Sequence, residues 1–148
     1  MFFEDFEIGQ RYTTASRRIT EDEIVAFAQQ WDKQFFHLDK AAAEASMYGG
    51  LIASGWHTAS VMMKLLASTL GESSLGSPGG DELRWSAPVR PGDELRLRVT
   101  VESKKASATK PDRGTLIYRN EVFNQHGEGV MTFVSTMFLR RRPTALAE

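Results

Sequence analysis

The sequence predicts an α+β fold in which one antiparallel sheet wraps around a long helix. Helical periodicity dominates the first half of the chain and strand periodicity the second. A helix that begins near Ser54 or Gly55 and ends near Leu70 is apolar around most of its circumference, so protein should surround it. A strand over residues 130–140 is apolar on both faces, so a second layer or a partner chain should cover it. A sheet wrapped around the enclosed helix would bury both elements.

Composition and charge limit the class of protein. The chain has 148 residues, enough for one domain with its own core. Its 18 Lys and Arg residues against 19 Asp and Glu residues argue against nucleic-acid binding, which needs a basic surface. Cysteine is absent, which excludes disulfides and thiolate chemistry. With neither a membrane-spanning apolar run nor a signal peptide, we expect no membrane contact and a cytoplasmic protein. We expect a single domain over residues 1–148, with a frayed tail at about 143–148.

Local signals divide the first half of the chain into a strand and helices. Residues 11–19 are a plausible first strand. Thr20 and Glu23 form a capping box that marks the start of a helix. Apolar residues then recur at the spacing of one helical face, at Ile24, Phe27, Ala28 and Trp31. A shorter helix is predicted over residues 40–45, with Asp39 as its N-cap.

The second half of the chain is interpreted as strands. Alternating or continuous apolar runs predict them over residues 83–87, 95–101, 115–124 and 130–140. The turn at residues 90–93 contains a Pro, which presets φ, and a Gly, which allows positive φ. Residues 71–80 are rich in Gly and Ser and predict a loop after the long helix.

Each of the three histidines has a different setting. His126 lies in a predicted hairpin loop and is interpreted as a solvated turn residue. His57 belongs to the polar stripe of the long helix, which favours a surface or interface position. His37 follows Asp32 by five residues, with aromatic residues between them, so the two side chains could share a hydrogen bond or a water molecule. An apolar lining would perturb both pKa values, as acid–base chemistry requires, although a helix-terminal Asp and a partly buried His are also compatible with this spacing.

Small residues cluster directly before the long helix, in the segment 48–55 (YGGLIASG). A helix N-terminus offers unpaired N–H groups and the positive end of a dipole. Glycines would let a ligand carbonyl approach those groups, and a developing enolate oxygen would be stabilised there. The same glycines are equally compatible with tight packing alone.

Taken together, these segments resemble one family. Asp32-x-Gln34-x-x-His37-Leu38-Asp39 and the segment 49–59 (GGLIASGWHTA) are similar to the MaoC-like dehydratases, in particular the (R)-specific enoyl-CoA hydratases. Residues 3–10 (FEDFEIGQ) and 88–93 (PVRPGD) resemble other stretches of that family. The resemblance implies a hot-dog fold and a homodimer or larger homo-oligomer.

The chemistry that the resemblance implies is reversible syn addition of water to a trans-2-enoyl thioester, a lyase reaction without cofactor or metal. Asp32 and His37 would hold and activate the water, one as base and one as proton donor to Cα. The N–H of Gly55, or of a neighbour, would receive the thioester oxygen. The implied pocket residues are Trp31, Gln34, Phe35, Phe36, Ser54, Trp56 and Thr58. Gln34 and Phe35 stand where the family usually has Asn and Pro, and Thr58 where it commonly has Ser.

Two other functions fit the sequence. One is a hot-dog acyl-CoA thioesterase, in which Asp32 or a neighbouring acid would direct water at the carbonyl. The other is a non-catalytic acyl-CoA-binding subunit of a larger complex. In each case the expected ligand is an acyl-CoA or an acyl-carrier thioester. Its phosphorylated tail should meet basic residues at the cleft rim, and the candidates are Arg84, Arg90, Lys104 and Lys105, the last two in a loop after strand 95–101.

Overall fold

Six strands and four α-helices are present in residues 1–144, which the computed structural model describes. The strands are β1 (Arg11–Thr13), β2 (Arg17–Arg18), β3 (Gly79–Trp85), β4 (Glu94–Ala106), β5 (Arg113–Phe123) and β6 (Gly129–Arg140). The helices are α1 (Glu21–Trp31), α2 (Phe35–Leu38), α3 (Lys40–Glu44) and α4 (Gly55–Leu70). None of these helices is long and apolar enough to cross a membrane. The tail predicted to fray, residues 143–148, lies mostly outside the described residues.

The sheet is antiparallel and has the strand order β1-β4-β5-β6-β3, with β2 paired separately to β4. Its inner face packs on α4 to form the hydrophobic core. Core side chains from the helix include Val61, Met62 and Leu66, and those from the sheet include Leu97 and Leu116. This is the hot-dog fold, as the resemblance implied, and the enclosed helix is α4 as predicted.

The start of α1 is confirmed by its capping box. The Glu23 N–H donates to Thr20 Oγ1 (3.2 Å) and the Thr20 N–H donates to Glu23 Oε2 (3.0 Å). The single strand predicted over residues 11–19 is wrong, because two short strands flank a break there. At the break the Thr14 hydroxyl accepts from the Leu97 N–H (3.0 Å), so a side chain replaces part of the strand ladder.

Three differences in the second half come from irregular strand pairing. β4 continues past a register shift between Val101 and Ser103 as far as Ala106. Lys104 and Lys105 therefore lie in a strand and not in the predicted loop. β3 covers residues 79–85 instead of 83–87, and so begins inside the predicted loop. In β6 a register shift beside Phe123 buries two successive residues, Val130 and Met131, which alternation would place on opposite faces. The outer face of β6 has no second layer within residues 1–144, and Phe138 there is exposed.

Candidate active site

A cavity of about 440 Å³ lies where α4 begins, beside the connection from α1 to α2 and the segment after β3. Its polar lining includes Asp32, Gln34, His37 and Thr58. Its aromatic lining consists of Phe36, Tyr48, Trp56 and Trp85. The cavity therefore combines an apolar wall with one acid and one histidine. Within residues 1–144, no group of three or more His, Asp or Glu side chains is arranged to hold a metal ion.

Asp32 and His37 are in contact with each other in the lining of this cavity. His37 Nε2 lies 3.2 Å from Asp32 Oδ2, and the His37 side chain is 3% exposed while that of Asp32 is 17% exposed. The other ring nitrogen, Nδ1, lies 2.7 Å from the Ile52 carbonyl oxygen. Because a carbonyl only accepts hydrogen bonds, Nδ1 carries a proton and donates it. This leaves Nε2 as the nitrogen that exchanges protons with Asp32 or with a ligand.

The local backbone explains how the pair comes together. α1 ends at Trp31, and the N–H of the next residue, Asp32, donates to the Ala28 carbonyl (2.9 Å) before the chain turns. One helical turn, α2, then directs His37 inward, where it is 2% exposed. The Ile52 N–H donates to the Phe36 carbonyl (3.1 Å), which ties the segment before α4 to α2 and sets the carbonyl that holds His37.

The environment keeps Asp32 ionised. Burial opposes ionisation, but the polar side chains of Ser54 and Gln34, together with the nearby His37, outweigh it and lower the pKa of the Asp32 carboxyl below its ordinary value. The Gln34 bond, from Nε2 to Asp32 Oδ1, is 2.7 Å long. Asp32 is therefore a carboxylate at neutral pH and presents oxygen acceptors to the cavity.

The first turn of α4 supplies hydrogen-bond donors to the same cavity. The N–H groups of His57 and Thr58 donate to the Ser54 carbonyl. Those of Gly55 and Trp56 have no acceptor within the described residues, and both residues line the cavity. Gly55 also lets the Trp85 indole pack directly on the helix, because a Cβ at this position would lie 2.5 Å from Trp85 Cε2. A carbonyl oxygen that enters the cavity can meet free N–H groups at the positive end of the helix dipole.

Most of the expected pocket residues meet at this cavity, but three do not line it. Gln34, Phe36, Trp56 and Thr58 line it with Asp32, His37 and Gly55. Trp31 and Phe35 point to solvent, at 69% and 53% exposure, and Ser54 is fully buried behind the cavity wall.

The basic residues expected at the rim are dispersed, and none of them lines the cavity. Arg84 lies on the exposed strand β3 beside the cavity-lining Trp85. Arg90 donates to the carbonyl of Tyr48, a cavity residue. Lys104 donates to the Phe6 carbonyl (2.6 Å) from β4.

The two remaining histidines stay outside the cavity. His126 is exposed in its hairpin loop, as expected. The surface position expected for His57 is wrong: the ring is buried, stacked on Phe27 of α1 with centroids 4.9 Å apart, and burial lowers its pKa. Sequence reasoning also missed Trp85, because strand periodicity does not indicate that its ring reaches Gly55. It missed the Ile52 carbonyl as well, because a backbone acceptor is not marked by any residue type.

Comparison with known proteins gives matches over most of the chain. The model of the MaoC-like domain family matches residues 5–121. A MaoC-like dehydratase from Rhodospirillum rubrum is 40% identical with a TM-score of 0.90, covering 97% of this chain and 99% of that one. The R-hydratase PhaJ1 from Pseudomonas aeruginosa is 27% identical with a TM-score of 0.73, covering 99% of this chain and 92% of that one. The mesaconyl-CoA hydratase of Cereibacter sphaeroides is 28% identical over 97% of this chain, which spans only 42% of that enzyme. Since the family model matches most of the sequence, the chain belongs to the MaoC-like domain family.

Proposed function

We propose that this protein is an enoyl-thioester hydratase that reversibly adds water to a trans-2-enoyl-CoA to give a 3-hydroxyacyl-CoA. The observation that carries the proposal is the Asp32–His37 pair, 3.2 Å apart, in one cavity with the free N–H groups at the start of α4. The similarity to hydratases and a dehydratase of the same family supports the same reaction class.

The mechanism follows from three positions in the cavity. The thioester carbonyl accepts hydrogen bonds from the N–H of Gly55 or Trp56, which polarises the enoyl group and stabilises the enolate oxygen. A water molecule held by Asp32 and His37 attacks Cβ while one member of the pair takes a proton from it. That proton passes within the pair to the other member, which delivers it to Cα as the enolate collapses. The pair thus ends with as many protons as it had at the start, and the product keeps its thioester bond.

The test of this proposal separates hydration from hydrolysis. Purified protein is assayed with a panel of trans-2-enoyl thioesters on coenzyme A and on an acyl carrier. Loss of the conjugated-enoyl absorbance without release of thiol, together with one enantiomer of the 3-hydroxyacyl product, is the expected result. Release of free thiol would instead establish a thioesterase, and binding without turnover would establish a non-catalytic subunit.

Arg84 is our candidate for contact with the phosphorylated tail of the substrate. It lies on the exposed strand β3, next to Trp85 at the cavity. We expect Arg84→Glu to raise KM with little change in kcat, and the effect to shrink at high salt because the contact is solvent-exposed. Lys110→Glu, at an exposed position between β4 and β5, is the control for a surface charge reversal. A KM for Arg84→Glu that equals that of wild type at low salt would contradict this role.

We further propose that the protein forms a homodimer. β3 is an edge strand of the sheet, and the exposed rings of Trp85 on this strand and of Trp56 pack together at the cavity. Phe35, also exposed, packs on the cavity residue Phe36, and the exposed Trp31 directly precedes Asp32. Unpaired edge strands and exposed apolar side chains of this kind favour association. We expect sedimentation at micromolar concentration to show a dimer, with an interface on the order of 2,000 Å² or more. A stable monomer in that experiment would contradict the proposal.

A further inference from the structure

The charged groups that line the cavity limit the acyl groups that it can accept. Within residues 1–144, the lining contains one acidic side chain, Asp32, one histidine, His37, and neither Lys nor Arg. The lowered pKa of Asp32 keeps its carboxyl ionised at neutral pH. His37 Nε2 lies 3.2 Å from that carboxylate, so the histidine is already engaged. An anion in the cavity would therefore meet a negative neighbour without a separate positive one.

The arginines closest in sequence to lining residues are bound elsewhere. Arg90 follows the lining segment 85–89, but its Nη2 donates to the backbone carbonyl of Tyr48. Arg84 precedes the same segment, and its Nη1 donates to the Leu83 carbonyl (2.9 Å) on the exposed strand β3. Neither guanidinium belongs to the lining, so neither neutralises a charge in the space that the lining encloses.

Most of the remaining lining is apolar. Trp56 and Trp85 pack edge to face with ring centroids 5.1 Å apart, and Phe36 and Tyr48 form a second aromatic pair at the same distance. Residues 87–89 (APV) continue this wall. The polar side chains besides Asp32 and His37, such as Thr58, carry no charge. Such walls favour burial of an apolar group, and they do not replace the hydration that a carboxylate would lose.

Enoyl thioesters differ in whether the acyl group carries a carboxylate of its own. In this cavity such a carboxylate would be repelled by Asp32, and repulsion between like charges is stronger where water is excluded. We infer that the protein selects enoyl thioesters with an uncharged, apolar acyl group and excludes those whose acyl group carries a carboxylate. The inference rests on the proposed function and names the substrate class of that site.

The experiment compares acyl groups of one shape that differ in charge. The trans-4-methylpent-2-enoyl thioester of coenzyme A ends in an isopropyl group, the fumaryl thioester in a carboxylate of similar shape, and the fumaramoyl thioester in the uncharged amide. We expect kcat/KM to be roughly hundred-fold lower for the carboxylate than for the isopropyl compound, with the amide between them. Equal kcat/KM for carboxylate and isopropyl compounds would overturn the inference, and an amide as poor as the carboxylate would overturn the role of charge.

A cation placed in the lining should weaken this discrimination. Trp56→Arg adds one at the start of α4, and Met63→Arg, the matched control, adds one on the same helix face two turns later and outside the lining. Both side chains are exposed, so both substitutions should fold. We expect Trp56→Arg to raise the ratio of kcat/KM for the carboxylate to that for the isopropyl compound about ten-fold or more. Met63→Arg should keep the wild-type ratio, because about 10 Å of helix separates the two positions and salt screens the added charge. An unchanged ratio in folded Trp56→Arg would contradict the electrostatic cause.

Binding of saturated thioesters separates this inference from the proposed function. The coenzyme A thioesters of 4-methylpentanoate and succinate have matched shapes and the same tail, and neither can be hydrated. Calorimetry should show tighter binding of the first to wild type, and Trp56→Arg should narrow the difference. If wild type hydrates no enoyl thioester, the proposed function fails, and the calorimetry still decides whether the cavity excludes a carboxylate. Equal affinities of wild type for the two compounds would overturn the inference.

Discussion

Asp32→Asn and His37→Ala are each expected to lower kcat by about 10²–10⁴-fold, the usual contribution of a general acid or base. The two side chains are 3.2 Å apart, and in the proposed mechanism they act on one water molecule, so loss of either member should disable the other. The double variant should therefore be little worse than either single variant, because residues that act as a unit are not additive. KM should change little, since neither side chain contacts the coenzyme tail.

The measurement pairs turnover with thermal unfolding for the same variants. Asp22→Asn on the exposed side of α1 and His126→Ala in the hairpin loop are matched controls, and both should keep wild-type kcat. The wild-type dependence of kcat/KM on pH should be bell-shaped and describe the coupled pair. On the acid side, activity should fall as Asp32 becomes protonated, at a pH below the ordinary pKa of an aspartate, because that pKa is lowered in the fold. A folded, fully active Asp32→Asn would end the hydratase assignment.

The sequence predicted those elements whose determinants are local. The capping box of α1 depends on two residues three positions apart, and the enclosure of α4 on the distribution of apolar residues in one helix. Asp32 and His37 were also predictable, because the five-residue spacing and the family resemblance together place them on the two sides of one turn.

Features that depend on distant contacts were not predictable. His57 is buried because Phe27 of α1 stacks on it, although its own helix places it in a polar stripe. The Nδ1 proton of His37 is donated to the backbone carbonyl of Ile52, fifteen residues away. Lys104 reaches the Phe6 carbonyl after a register shift in β4, which strict alternation does not predict. In each case tertiary packing, and not the local pattern, decides where the side chain lies.

Gly55→Ala tests a residue at the start of α4 that packs against the distant residue Trp85. An added Cβ would lie 2.5 Å from Cε2 and 2.7 Å from Cδ2 of Trp85, so the ring or the helix start has to move. The new methyl group would also stand beside the N–H that receives the thioester oxygen in the proposed mechanism. We expect kcat to fall about 10²–10³-fold, the cost of removing one donor from an oxyanion site. Gly129→Ala is the control, since its nearest neighbour would be Phe123 Cε1 at 3.9 Å.

A double variant separates the two effects of the Gly55→Ala change. Trp85→Ala removes the colliding ring, so Gly55→Ala/Trp85→Ala should regain the thermal stability that Gly55→Ala loses. Its kcat should stay low, because the methyl group still obstructs the N–H at the start of α4. Recovery of kcat in the double variant would attribute the defect to crowding by Trp85, and wild-type kcat in Gly55→Ala itself would remove the start of α4 from the mechanism. Gly55 both packs against Trp85 and presents the N–H group, so one substitution changes both. Comparing thermal stability with kcat therefore shows whether Gly55 only shapes the cavity or also stabilises the enolate.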